Sequence, residues 1–469
     1  MPAAAVQAGP FKDLRSWLSH LESGNRLEIL KTGAKLAFEI AGIANRWDGR
    51  RATLFPRPGN ADGIVVSGLL SSRAWMAEAL GVSEAQLLQH FQEAVENPLP
   101  WVEVAEPACQ EVIHDNPDLT HLLPIPTHNE HDSGAYITAG LVIVRNPFTG
   151  RQNVAIHRLQ VSGPRHLGAL LLPRHTLAFQ EMAEAEGTDL DVAIVIGSSP
   201  AALLSSQAIA PLDQDELEIA GALVGAPLEV AKCVGSEVRV PASSEIIIEG
   251  RFLANAREPE GPFGEFPQYY AERAKRHVVE VDRVTTRQKP LYHTIVGGSR
   301  EHLLLGGIPR EATILSILRR NFPGVRDVHL SQGGVCRYHL YVAIKKRFEG
   351  EGKNVILAAL AAHYDVKHVY VVDEDVDVHN PEQVEWAVAT RFQADRDLVT
   401  VHGSLGSKLD PSTDDNGIGA KLGFDATVPL SEPEFTYTRI KVPGQDDIDL
   451  AASADPQARL AHFFARDQG

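Results

Sequence analysis

The stretch that decides the fold is "REPEGPFGEF", Arg257 to Phe266, in which Glu260 and Glu265 flank Gly-Pro-Phe-Gly. Proline lacks the N–H donor that a helix needs, and glycine adopts turn conformations closed to other residues, so the segment cannot be a regular helix. One explanation is a solvated loop with two surface charges, the commoner situation for glutamates. The other is a stiff turn that presents an acid and a partner carboxylate to a ligand between them. The spacing alone leaves both explanations open.

Length, composition and charge exclude several classes of protein. The chain has 469 residues, 44% of them hydrophobic and 22% charged, which predicts a folded protein of two or three domains. A net charge of −17 argues against a nucleic-acid partner, which would require a basic face. The three cysteines are far apart, and neither a secretory signal nor a membrane-spanning apolar run is present. We therefore expect a cytoplasmic protein with no membrane partner.

Helix and strand signals predict an N-terminal α/β domain over 1–115, a β-rich domain over 116–310 and a C-terminal α/β oligomerisation domain over 311–469. Within the second domain, Asn146-Pro147 and Thr149-Gly150 separate two β-rich runs and predict a hairpin. The chain ends with a predicted amphipathic helix that packs on its own domain or on another subunit. Its N-cap is Asp455, followed by Pro456, and its apolar stripe consists of Leu460, Phe463 and Phe464.

Several familiar motifs fail on inspection. "DEDVDVHN", Asp373 to Asn380, resembles a calcium loop, but Val378 and Val384 occupy the positions where an EF-hand needs Gly and Glu. We interpret it as a strand-end loop in which Asn380 caps the next helix. "HNEHD" in a proline-rich loop lacks the HExxH spacing, and no GxGxxG, Walker or GxSxG motif occurs. A dinucleotide or nucleotide-hydrolysing site is therefore not expected.

The segment "NVAIHRLQV" places an arginine among apolar residues. In a continuous strand Asn153 and Arg158 would face opposite sides, unless a bulge intervenes. Because an isolated buried guanidinium is very costly, Arg158 needs a partner or water. It is either an edge-strand arginine in water or an arginine held in a pocket to grip a carboxylate in bidentate geometry.

These segments together resemble a known family. "NVAIHRLQ", "DELEIAGALVGAPLEVAKC", "PASSEIIIEG" and above all "EPEGPFGE" resemble, in order and approximate spacing, the signature segments of UbiD-type decarboxylases, which depend on prenylated FMN. The resemblance covers roughly residues 10–430. It implies an α/β (α+β multi-domain) protein, with a central split β-barrel that binds flavin between N-terminal α/β elements and a C-terminal α/β dimerisation region.

The resemblance also implies roles for the residues of the opening stretch. Arg158 would orient the substrate carboxylate, and Glu260 would pair with Arg158 and hold it. Glu265 would exchange a proton with the reacting carbon, with a pKa raised by a dry pocket. The implied reaction is a reversible non-oxidative decarboxylation of an aromatic, heteroaromatic or α,β-unsaturated acid. It would proceed through a covalent adduct between substrate and cofactor, with release of CO2.

For the cofactor, the resemblance implies prenylated FMN, supplied by a flavin prenyltransferase, in a homodimer or higher homo-oligomer. Its phosphate would be bound through a divalent metal, Mn²⁺ or another, and a monovalent cation, K⁺ or Na⁺. The implied metal ligands are Asn153, His175 and Glu216, and Lys421, or alternatively Lys408, would contact the phosphate. The full set of implied cofactor contacts is Asn153, Ile156, His157, Arg158, Gln160, Arg174, His175, Glu216 and Lys421.

A substrate contact is expected from "YHTIVGGSREHLLLGG", which borders the substrate pocket in the family. Its polar residues His293, Arg300 and His302 are either loop residues in water or groups that recognise a heteroatom or a second carboxylate. The second reading favours a small heteroaromatic acid such as a furan or pyrrole carboxylate. Two other functions remain alternatives: a non-catalytic or chaperone-like relative that binds flavin or metal, and an ordinary FMN oxidoreductase.

Overall fold

A computed structural model of the chain describes residues 9–60 and 62–460. Its helices are α1 Leu14–Ser23, α2 Glu39–Trp47, α3 Arg73–Ala79, α4 Leu87–Glu96, α5 Leu119–Leu122, α6 His175–Ala185, α7 Pro200–Ser205, α8 Glu216–Val224, α9 Arg300–Asn321, α10 Glu351–Ala362, α11 Pro381–Arg391, α12 Ala394–Asp397 and α13 Leu450–Ser453. No helix of the described ranges is long and apolar enough to cross a bilayer.

The strands fall into one large sheet and several smaller ones. They are β1 Leu27–Ile29, β2 Ala52–Pro56, β3 Ile64–Ser67, β4 Val102–Glu103, β5 Val112–Asp115, β6 Tyr136–Ile137, β7 Leu141–Arg145, β8 Gln152–Ile156, β9 Leu159–Val161, β10 His166–Ala169, β11 Leu190–Ile196, β12 Glu229–Lys232, β13 Arg239–Pro241, β14 Ile246–Glu260, β15 Phe263–Gly264, β16 Tyr270–Ala271, β17 Ala274–Thr286, β18 Leu291–His293, β19 Val325–Leu330, β20 His339–Ile344, β21 His368–Asp373, β22 Leu398–Leu405 and β23 Ile418–Ala426.

A curled, nine-stranded antiparallel sheet forms a half-barrel at the centre of the chain, in the order β6-β9-β10-β17-β14-β11-β7-β8, with β5 on β17. The predicted hairpin is present, because β7 pairs antiparallel with β8. Both faces of the sheet are covered: Leu141 and Ile143 belong to one core, and Val142 and Val144 to the other. Burial on both faces explains why these strands read as continuous apolar runs.

Two smaller sheets flank the half-barrel in the sequence. The N-terminal sheet has the order β1-β2-β3-β18, so a strand from the end of the central region completes it. Before it, α1 buries Leu14, Trp17, Leu18 and Leu21 at helical spacing, and the carboxylate of Asp13 caps it by accepting from Ser16 N–H. The C-terminal sheet has the order β19-β20-β21-β23-β22, and its inner strands are parallel.

Asn380 caps α11 as predicted, because its side chain accepts from the Glu382 N–H. Asp373 and Asp375, in and after the strand that precedes α11, both form ion pairs with Arg391 at the end of α11. These two carboxylates are therefore already paired.

The contacts divide the chain into two units, residues 1–427 and 428–469, so the predicted boundaries near 115 and 310 stay predictions. Within 428–460 no described side chain is buried, and large apolar residues such as Phe435 and Ile440 are exposed. Asp455 accepts from Gln457 N–H and Ala458 N–H, as an N-cap does. Phe463 and Phe464 of the predicted terminal helix lie outside the described residues.

Candidate active site

A cavity of about 560 Å³ lies between the half-barrel and α9. Its walls come from the end of β8 and the residues after it, the N-termini of α6 and α8, the 261–265 turn, and one face of α9. Arg158 lines it together with Asn153, although five positions separate them. This is possible because β8 ends at Ile156 and β9 begins only at Leu159, so His157 and Arg158 break the strand alternation.

Arg158 is gripped by both glutamates of the opening stretch. Its Nε lies 3.1 Å from Glu260 Oε1 and its Nη2 lies 3.0 Å from Glu260 Oε2, a bidentate ion pair. The remaining nitrogen, Nη1, donates to Glu265 Oε1. The Glu260 side chain is fully buried and that of Glu265 is 12% exposed. The guanidinium also lies over the ring of Phe263, with 5.2 Å to its centroid.

The contact of Glu265 corrects one expectation. The expected surroundings of Glu265 are a dry pocket, whereas in the structure Glu265 lies against the guanidinium of Arg158. The reason is geometric: Glu260 occupies only one edge of Arg158, and the short turn brings Glu265 to the other. A neutral, proton-carrying Glu265 therefore requires that another anion first take its place on Nη1.

The turn that carries the glutamates is fixed by neighbouring loops. The hydroxyl of Tyr136 lies 3.1 Å from both Glu260 Oε1 and Gln160 Oε1, and donates its one proton to one of them at a time. Gln160 Oε1 also accepts from Gly261 N–H, and Asp132 accepts from Gly264 N–H. Burial, and then the charge of Glu260, raises the pKa of Tyr136, so the phenol keeps its proton.

A second set of polar residues meets where three elements end. Asn153 lies on β8, His175 is the first residue of α6 and Glu216 is the first residue of α8; all three line the cavity. Glu216 accepts from Val154 N–H at 2.7 Å, and burial raises its pKa well above the usual value. No lysine or arginine of the described residues forms an ion pair with it. Asn153 Nδ2 donates to Thr176 Oγ1.

This donor set fits a divalent cation. A buried carboxylate without a basic partner lacks a counter-charge, and an amide oxygen, an imidazole and a carboxylate are suitable ligands for manganese. Burial, and then the charge of Arg174, lowers the pKa of His175, which keeps the imidazole neutral as ligation requires. Among residues 9–60 and 62–460 there is no cluster of three His, Cys, Asp or Glu placed to hold a metal, so His175 and Glu216 alone do not complete a site, and the Asn153 amide oxygen is a suitable third ligand.

Another wall of the cavity is cationic. Arg310 and Arg337 line the cavity, and the only carboxylate of the described residues within ion-pair distance of either is Asp365, 3.8 Å from Arg310 Nε. Arg337 Nη1 donates to the carbonyls of Leu303 and Cys336. Burial, and then the neighbouring guanidinium groups, lowers the pKa of Arg310 to about 9.

His302 adds an uncharged imidazole to this wall, because burial and then the charge of Arg337 lower its pKa to about 3. Gly306 leaves space for the Arg337 guanidinium, since a Cβ atom at position 306 would overlap Arg337 Nη2. Two buried guanidinium groups that share one distant carboxylate favour an anionic ligand.

Comparison with known proteins agrees with this geometry. Three family models match in succession: the N-terminal domain of 3-octaprenyl-4-hydroxybenzoate carboxy-lyase over residues 18–95, its Rift-related domain over 101–300 and its C-terminal domain over 303–426. The chain belongs to the UbiD family.

The most similar curated UbiD relatives include two archaeal enzymes. The anhydromevalonate phosphate decarboxylase of Methanothermobacter thermautotrophicus is 39% identical over 421 residues, which cover 90% of this chain and 98% of the relative. That of Methanosarcina mazei is 36% identical, over 92% of this chain and 99% of the relative. The UbiD family members and these relatives are decarboxylases, and this protein is a carboxy-lyase.

Solved structures of UbiD enzymes are also similar. The UbiD-class enzyme HmfF from Pelotomaculum thermopropionicum, in complex with FMN, is 48% identical with a TM-score of 0.92, over 94% of this chain and 100% of that one. The 3,4-dihydroxybenzoic acid decarboxylase of Enterobacter cloacae is 31% identical with a TM-score of 0.86, over 93% and 99%. The predicted fold class is thereby confirmed.

Most of the residues carried over from the UbiD resemblance lie together. Besides those described above, Ile156, His157 and Arg174 line the cavity. Gln160 does not line it and instead holds the 261–265 turn. Lys421 lines an adjoining pocket, where its Nζ donates to the carbonyls of Leu360 and Tyr364, and Lys408 lines neither.

Two of the three residues proposed to contact substrate lie elsewhere. His293 is fully buried, 3.3 Å from Glu301, and Arg300 is exposed at the start of α9, where its N–H binds Asp48. Only His302 faces the cavity. Arg310 and Arg337 also line the cavity but are not among the residues predicted from the sequence; the one signal for each is an arginine in an apolar segment that contains glycine.

Proposed function

We propose that this protein binds prenylated FMN in the cavity and removes CO2 from a small unsaturated acid that carries a second anionic group. The observation that carries the proposal is that one cavity is lined by Arg158 and Glu265, with Glu260 bound to Arg158, and also by the two buried arginines Arg310 and Arg337. The FMN seen in the similar HmfF structure, and prenylated FMN in its evolved dimeric form, support the choice of cofactor.

The cofactor would be held at the wall formed by β8, α6 and α8. Asn153, His175 and Glu216 would bind a divalent ion, manganese or another, that would neutralise charge on the cofactor phosphate, and K⁺ or Na⁺ would accompany it. When bound, prenylated FMN would supply the electron-accepting carbon framework that makes loss of CO2 feasible. Arg174, beside His175, would contact the cofactor, and Lys421 is proposed as a phosphate contact from the adjoining pocket.

Arg158 binds the carboxylate that is lost. Glu260 holds one guanidinium edge, so the substrate carboxylate takes Nη1 and displaces Glu265. Freed from the positive charge, Glu265 can carry a proton in a site from which substrate excludes water. After the C–C bond to the carboxylate breaks, CO2 leaves and Glu265 gives its proton to the carbon. Glu265, now a carboxylate, returns to Nη1; as the next substrate enters and displaces it, Glu265 takes a proton from solvent before the water has been expelled from the site.

The second anionic group would lie against Arg310 and Arg337, with His302 as a neutral hydrogen-bond partner. A furan or pyrrole acid with a second carboxylate satisfies this requirement. A second candidate is anhydromevalonate phosphate, because relatives 39% and 36% identical to this chain act on it and its phosphate would satisfy the same arginines.

The test compares an acid that has the second anionic group with one that lacks it. Enzyme co-expressed with a flavin prenyltransferase should release CO2 from the dianionic acid, and Arg310→Gln should lower kcat/KM for that acid by roughly 10- to 150-fold, the value of a hydrogen bond to a charged group. Arg300→Gln, on the same helix but outside the cavity, is the matched control and should behave as the parent. Equal loss for mono- and dianionic acids would show that Arg310 does not read a second anion.

We further propose a cytoplasmic location and a homodimer or higher homo-oligomer. The three free, buried cysteines suit a reducing compartment. The exposed apolar residues of 428–460 suit a subunit contact.

A further inference from the structure

Behind the cavity wall, three side chains form a hydrogen-bonded row that the proposed reaction does not use. His128 Nε2 lies 2.7 Å from Thr294 Oγ1, and Thr294 Oγ1 lies 3.1 Å from Thr138 Oγ1. Thr138 lines the cavity, whereas His128 and Thr294 are buried behind it. The Ile295 N–H also donates to Thr138 Oγ1, at 3.0 Å.

The direction of the row follows from its buried end. Burial lowers the pKa of His128 to about 4, so near neutral pH the ring carries one N–H. His128 Nδ1 is buried and has no hydrogen-bond partner among the described residues. Placing the proton on Nδ1 would orphan a buried donor, so the proton belongs on Nε2, where Thr294 Oγ1 accepts it.

Each hydroxyl then has one assignment. Thr294 Oγ1 accepts from His128 and keeps its own O–H. If Thr138 donated to Thr294, the buried Thr294 O–H would have no acceptor among the described residues, so we assign the Thr294 O–H as the donor to Thr138 Oγ1. Thr138 Oγ1 now accepts twice, from Thr294 O–H and Ile295 N–H, which fills both lone pairs. The Thr138 proton is the one group left over, and no acceptor among the described residues takes it. Because Thr138 lines the cavity, a ligand bound there can accept it.

We propose that Thr138 donates a hydrogen bond to an acceptor atom of the flavin ring, and that Thr294 and His128 are positioning residues that hold its hydroxyl in that direction. A neutral donor suits the carbonyl oxygens and ring nitrogens of a flavin, whereas the anionic groups of a substrate face arginines. The inference rests on the proposed binding of a flavin in this cavity.

The experiment is an FMN titration of the full chain without substrate, followed by flavin fluorescence and absorption. Thr138→Val should raise the Kd for FMN about 3- to 10-fold, the value of a neutral hydrogen bond, and shift the absorption of the bound flavin. Thr138→Ser keeps the donor and should match the parent. Equal Kd values for parent and valine variant, or a serine variant as weak as the valine variant, would overturn the proposal. A parent that binds no FMN would instead overturn the cofactor assignment itself, and this inference with it.

The positioning role has its own test in a double-variant cycle. Thr294→Val should raise the Kd for FMN by a smaller factor, and this effect should vanish when Thr138 is already valine, because Thr294 acts only through that hydroxyl. Thermal unfolding of each variant checks that the fold is retained. If the two effects multiply independently, Thr294 and His128 do not orient Thr138, and that part of the proposal falls.

Discussion

The two glutamates of the opening turn should differ in how strongly the substitution by glutamine affects stability and catalysis. Glu260→Gln removes one of two charge-assisted bonds to Arg158 at a fully buried position and sets an amide N–H against a guanidinium N–H. We expect the free energy of unfolding to fall by about 1.5–3 kcal/mol. Glu265→Gln keeps an oxygen that accepts the single bond from Nη1, so its cost should be about 1 kcal/mol or less.

In catalysis the two variants should differ in which step they impair. Glu265→Gln should bind flavin like the parent yet lose about 10²–10⁴-fold in turnover and in deuterium exchange between product and D2O, because the proton donor is gone. Glu260→Gln should also weaken substrate binding, because Arg158 loosens. Urea unfolding and product deuteration measure the two effects separately. Deuterium exchange at the parent rate in Glu265→Gln would show that the proton comes from another group, and equal unfolding midpoints would refute the division of roles.

Two further predictions concern the cavity walls. His175→Ala and Glu216→Gln should each weaken manganese binding by more than about 10-fold and weaken FMN binding with it. The control is Glu218→Gln, which should change neither, because Glu218 lies on the same helix as Glu216 but binds Arg151. Metal content and FMN titration measure both effects, and parent-like binding in the first two variants would refute the ligand set. Because the folded-state pKa of His302, about 3, lies below its unfolded value, the unfolded chain binds the extra proton as the pH falls below about 6.5, so stability is lost on acidification. Between about pH 6 and pH 4, the free energy of unfolding of His302→Gln should fall with decreasing pH less steeply than that of the parent, by about 1.4 kcal/mol per pH unit. Substitution of the exposed His402 by glutamine should leave this dependence unchanged. Urea unfolding at several pH values measures it, and the same pH dependence for parent and His302→Gln would contradict the prediction.

Local features of the fold could be predicted from the sequence because their causes are local. The spacing of Leu14, Trp17 and Leu21 is enough to give α1, and the turn residues Asn146 and Gly150 are enough to give the hairpin. The family segments likewise drew attention to Arg158, Glu260 and Glu265, and in the structure Arg158 contacts both glutamates.

What could not be predicted depends on contacts between distant segments. Arg310 faces the cavity because α9 turns that side of the helix inward, and Arg337 reaches it only because Gly306 leaves space. His293 looked equally suitable in sequence, but its strand completes the N-terminal sheet and carries it away from the cavity. The charge state of Glu265 likewise depends on which edge of Arg158 remains free.

The central claim is that this cavity carries out a decarboxylation that depends on prenylated FMN and requires a second anion on the substrate. The most direct test measures CO2 release from a furan dicarboxylate and from anhydromevalonate phosphate, each beside its analogue without the second anionic group, by enzyme produced with and without a flavin prenyltransferase. The account predicts CO2 only from enzyme produced with the prenyltransferase, and a marked preference for one of the dianionic acids. Release of CO2 by enzyme that carries only FMN, or turnover restricted to monoanionic phenylacrylic acids, would contradict it.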